Sequence, residues 1–183
     1  MTTRTTTHPG LATTTPTASA VPVEVETILL SAVSGELRFR VRTGALTEGE
    51  HPDGVARDLA GLSRRGPDVL LHSTSWRFQN TGIVLTYVAL PDPHPKADQS
   101  TPVEPLPVVS QEDPLAPTPA IVRLVDVAVH ACRHLAFLRH TDPLVAARAD
   151  ELPDLWRHIS RFSPAVAGLL SPPSSRQPPP ASH

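Results

Sequence analysis

Glu48, Glu50, Asp53 and Asp58 crowd one short stretch of this chain. Hard oxygen donors at that density could gather magnesium or manganese, which would neutralise phosphate charge and activate water. Acids at the start of a helix also serve simply to offset the positive end of its dipole, as solvated loop residues. Upstream, Arg38, Arg40 and Arg42 alternate along one strand and could hold phosphate oxygens. Downstream, His72, Thr74 and Trp76 share a face at period two: indole to stack on a base, imidazole and hydroxyl for polar contacts. The same spacing suits an ordinary cross-strand cluster of Trp76 with Tyr87 or Val88. His130 and His134 sit one helical turn apart, the spacing of a zinc-binding helix. Ala131 stands where such a helix has its acid, and no third ligand is in view, so a polar helix face is expected. A G-x-S-x-G nucleophile turn and glycine-rich phosphate loops are absent.

Strands and helices must position these groups. Residues 23–33 begin by alternating and end apolar, and Ser34-Gly35 marks a turn. Residues 36–42 alternate Leu37, Phe39 and Val41 against the three arginines, so one face is expected buried and the other basic. Residues 69–78 and 83–90 flank Asn80-Thr81-Gly82, a hairpin pattern. Between the strand pairs, residues 53–63 predict a short helix with Val55, Leu59 and Leu62 on one face. Thr118 and Pro119 predict the start of a long helix running to about 139. Its apolar stripe is Ile121, Leu124, Val125, Ala128, Cys132, Leu135 and Leu138. Asp142-Pro143 opens another helix, and residues 152–162, containing Trp156, form a third. Residues 1–21 and 171–183 read as disordered tails rich in threonine or proline, and a proline-rich insertion at about 91–118 interrupts a single domain over 22–170.

The segment Gly44-Ala45-Leu46-Thr47-Glu48-Gly49-Glu50, followed by Arg57-Asp58-Leu59, resembles the Nudix box of pyrophosphohydrolases acting on nucleoside diphosphate derivatives, G-x5-E-x7-R-E-U-x-E-E-x-G-U. Gly44 and Glu50 match its opening glycine and glutamate in spacing. Arg57-Asp58-Leu59 matches its Arg-Glu-apolar step after a one-residue deletion. The resemblance implies an α/β (α+β) fold, a Nudix-like mixed sheet flanked by helices, with an extended helical region toward the C-terminus. It also implies metal-bearing carboxylates on the helix, and there the chain departs: the aligned positions are Asp58, Gly61 and Leu62. Glycine and leucine cannot grip a hard cation.

The expected function is therefore a non-catalytic Nudix-like domain that binds a nucleotide, another phosphorylated metabolite or a protein partner. The ligand residues would be Arg38, Arg40, Arg42, His72 and Trp76, with no metal cofactor. The alternative is a divergent pyrophosphohydrolase using Glu50 and Asp58 catalytically and drawing magnesium or manganese from Glu48, Glu50, Asp53 and Asp58. A third reading is an adaptor whose long helix and proline-rich insertion carry partner contacts. The net charge of −2 lacks the footprint of a general nucleic-acid binder, and no polybasic run suits a membrane surface. A single cysteine rules out an internal disulfide. With no continuous apolar leader or bilayer-length run, the expected compartment is the cytoplasm.

Overall fold

A computed structural model of the chain describes residues 21–62, 69–106 and 121–166. The two tails and the Thr118-Pro119 helix start fall essentially outside these residues. Five strands form one mixed sheet in the order β3-β4-β1-β2-β5. They are β1 (Val23–Val33), β2 (Glu36–Ala45), β3 (Leu70–Gln79), β4 (Gly82–Leu90) and β5 (Thr101–Pro102). β1 runs parallel to β4, and the other neighbours are antiparallel. Four helices complete an α+β fold: α1 (Pro52–Leu59), α2 (Leu124–Thr141), α3 (Pro143–Glu151) and α4 (Pro153–Ile159). No helix among the described residues is long and apolar enough to cross a membrane.

The central strands are buried on both faces, which is why β1 ends as a continuous apolar run. On one face Ile28, Leu30, Val88 and Phe39 pack against α2, α3 and α4 around Trp156. On the other, Val25 and Tyr87 receive Ala56 of α1, and Leu29 and Ala89 receive Ala60 just after it. Gly44 of β2 lies beneath this helix: a Cβ there would stand 3.3 Å from Leu59, so the absence of a side chain sets how closely α1 seats on the sheet.

Three expectations are corrected. The first helix stops at Leu59 rather than 63, because Gly61 adopts φ +71. The Gly61 N–H donates to Asp58 O and the Leu62 N–H to Arg57 O, each at 3.0 Å, the paired bonds of a glycine-terminated helix. Gly61 is a terminator, and Leu62 lies past the helix end.

The proline-rich insertion packs over its first half. Val103 is buried, β5 pairs with β2, and the Asp92 N–H donates to Leu30 O at 2.7 Å.

The long helix begins at Leu124, leaving Ile121 79% exposed. Its buried set includes Val127, Val129, Ala131, His134 and Ala136 beyond the expected stripe. The reason is that α3 and α4 cover flanks of α2 that an isolated amphipathic helix would show to water. Asp142 caps α3 as expected, accepting from the N–H of Leu144 at 2.8 Å.

Candidate functional site

The acids before and within α1 do not converge. Glu50 turns back on its own loop and accepts from the Thr47 N–H at 2.9 Å and the Thr47 hydroxyl at 2.6 Å. Those bonds hold its carboxyl below the ordinary range. Asp53 accepts from the Tyr87 hydroxyl at 2.6 Å. Burial, with Asp53 beside it, pushes that hydroxyl far above its usual pKa. The N–H of Asp53 is in turn accepted by His51 Nδ1 at 3.3 Å, which caps the helix. Glu48 and Asp58 are exposed. Among the described residues no three His, Cys, Asp or Glu side chains are placed to hold a metal ion.

The three arginines share the α1 side of β2 and are fastened differently. Arg38 donates to the Ser100 hydroxyl from Nε at 2.9 Å and to Glu36 from Nη1 at 2.9 Å. It holds the turn at 97–99 against the sheet. Arg40 forms a two-pronged pair with buried Asp92, with Nη2 at 2.7 Å from Oδ1, and that pairing raises its pKa. Asp92 also accepts from the His94 N–H at 2.9 Å. These two arginines clamp the segment after β4, a role the alternation alone could not reveal. Arg42 is exposed and has no ion pair among the described residues.

His72, Thr74 and Trp76 do not share a face. The β3–β4 register shifts between Ser73 and Ser75, so Thr74 is an extra residue and the alternation inverts across it. His72 lies opposite Val88 on the α2 side, whereas Trp76 lies opposite Leu85 on the α1 side. The base-and-phosphate platform is therefore not assembled: β4 and β1, with α1 over them, separate Trp76 from Arg42. Instead His72 stacks on His134 of α2, ring centroids 5.4 Å apart, and His130 follows one turn away. Both helix histidines face inward, correcting the expected polar face.

Desolvation lowers the pKa of all three histidines, offset at His72 by Asp142, reinforced at His130 by Arg133, and reinforced at His134 by the other two. Below the unfolded value of about 6.5 the unfolded chain binds protons that the folded chain refuses, so stability falls as pH falls through that point. Urea midpoints measured from neutral to mildly acid pH are expected to drop, and to drop less in His72→Gln/His134→Gln. Parallel profiles for the two proteins would refute the assignment.

An open cleft lies elsewhere among the described residues. Between the start of β1, the β3–β4 hairpin and the start of α2 is a hollow of about 440 Å³. Glu24, Glu26, Thr43, Arg77, Val84 and Leu124 line it. Glu26 is only 2% exposed and takes both prongs of Arg77, at 2.8 and 3.0 Å. The Thr86 hydroxyl donates to the same carboxylate at 3.1 Å, and Arg77 Nε donates to Gln79 at 2.8 Å. Neither Glu26 nor Arg77 stands out in the sequence, because each lies in a strand of ordinary alternation and they are 51 residues apart. A scan of protein-family models finds no match to this chain. A search of curated proteins finds none either.

Proposed function

We propose that this chain is a non-catalytic ligand-binding domain of Nudix-like layout, which takes a small metabolite in the cleft between β1, the hairpin and α2. The observation that carries the non-catalytic half is the end of α1. Gly61 turns the chain out of the helix after Asp58, while Glu50 and Asp53 already serve Thr47 and Tyr87. The cleft supports the binding half, since its volume lies within the range of small-ligand sites and it mixes apolar walls with fixed polar groups. Charge narrows the ligand. Arg77 is neutralised by Glu26, and Glu24 is close by, so a phosphate inside would meet carboxylates. A nucleotide would place its base or sugar in the cleft and leave its phosphates outside.

Titration calorimetry of the full chain with nucleosides, nucleotides and nucleotide sugars tests this. At least one class should bind, and Thr43→Trp, which fills the cleft mouth from an exposed position, should abolish the heat. Silence across the panel, or heat unchanged in Thr43→Trp, would remove the cleft from consideration. Magnesium- or manganese-dependent phosphate release that disappears in Glu50→Gln would replace the reading with the pyrophosphohydrolase.

A further inference from the structure

We propose that two copies of this chain associate through the outer edge of β3, residues 75–79, pairing antiparallel about Arg77 into one continuous sheet. The sheet ends differently at its two edges. β5 is two residues long and contains Pro102, a blunt end. β3 is ten residues long and has no strand on its outer side among the described residues. Past the bulge it carries no proline, lysine or acid, the residues that ordinarily protect an edge. Its one charge, Arg77, is turned to the α2 side and neutralised by Glu26. On the opposite face Trp76 and Phe78 are 69% and 63% exposed.

The hairpin determines which backbone groups are free. Asn80 and Thr81 both have positive φ, 49° and 67°, the mark of a tight two-residue turn whose closing pair is hydrogen-bonded. That pair is Gln79 with Gly82, so Arg77 with Val84 and Ser75 with Thr86 are hydrogen-bonded too. An independent bond agrees: the Ile83 N–H donates away from β3, to Pro22 O at 2.9 Å. The N–H and C=O of Trp76 and Phe78 therefore point off the edge. In a twofold pairing centred on Arg77, Trp76 meets the second copy's Phe78, and Phe78 meets its Trp76. Each pair exchanges both N–H···O=C bonds, and the aromatic rings lie on one face, a favourable cross-strand match. The pattern is self-complementary, as a twofold interface requires; at the axis each Arg77 faces its own copy, and the Glu26 carboxylate paired to each guanidinium offsets that repulsion.

Light scattering on the full chain should give a mass that rises with concentration toward twice 19.6 kDa. Tryptophan emission should shift to the blue over the same range as Trp76 leaves water. Trp76→Ser/Phe78→Ser should remain at the single-chain mass; both side chains are exposed, so the fold does not depend on them. The register has its own readout. Ser75→Cys and Gln79→Cys in one chain would stand opposite each other across the axis in a closely spaced pair, and should oxidise to a covalent dimer. Cys132 is buried and does not compete. A monomer at every concentration overturns the proposal and leaves the edge to a strand from a different protein. A dimer that persists in the serine variant and fails to cross-link overturns it as well.

Discussion

Arg77→Met is expected to lower folding stability by about 3–5 kcal/mol, the usual cost of removing one partner from a buried ion pair. The loss comes from what is left behind. Glu26, 2% exposed, would keep a single hydrogen bond from Thr86 and no compensating charge. Removing the second charge should return much of the loss: the double variant Glu26→Leu/Arg77→Met leaves no orphan and is expected within about 1–2 kcal/mol of the parent. Urea unfolding of parent, both single variants and the double variant closes the cycle. A single variant as stable as the parent would mean that the pair is open to water and does not form the floor of the cleft. The same series bears on function, because a stable double variant that no longer binds ligand would separate recognition from folding.

Trp156→Ala is expected to cost a comparable amount, about 3–5 kcal/mol, through loss of contact area and the cavity left behind. Trp156 is fully buried in the core shared by the sheet, α2, α3 and α4. The Arg139 guanidinium lies 5.7 Å from its ring centre, adding a cation–π attraction of about 0.5–1 kcal/mol. Trp156→Phe should cost less, since it keeps an aromatic body and deletes an indole N–H that has no acceptor among the described residues. Thermal and urea unfolding distinguish the two variants. Equal stability for Trp156→Ala and the parent would show that the three-helix layer does not contribute to the folded state.

Much of the local structure was legible because it rests on neighbours in the chain. Leu37, Phe39 and Val41 alternate, and Leu37 and Phe39 are buried. Asp142 followed by Pro143 caps a helix wherever the chain continues helically. The strand–helix–hairpin–helix order follows from such patterns. The candidate site was less legible. Alternation placed Arg38, Arg40 and Arg42 on one face but could not say that Asp92 and Ser100 would return to meet two of them. Period two put His72 and Trp76 together, and one extra residue at Thr74 placed them on opposite faces. Gly61 read as a missing carboxylate on the helix, whereas its positive φ makes it the helix end.

The amino-acid sequence by itself determined where strands and helices form, since turns, caps and apolar periodicity act over a few residues. Only the tertiary structure decided which charges are free to meet a ligand. The partners that neutralise Arg40 and Arg77 lie 52 and 51 positions away, and no local pattern encodes an encounter at that range. The same holds for the cleft and the open strand edge, which exist only once β4 has crossed to lie beside β1 and left β3 outermost.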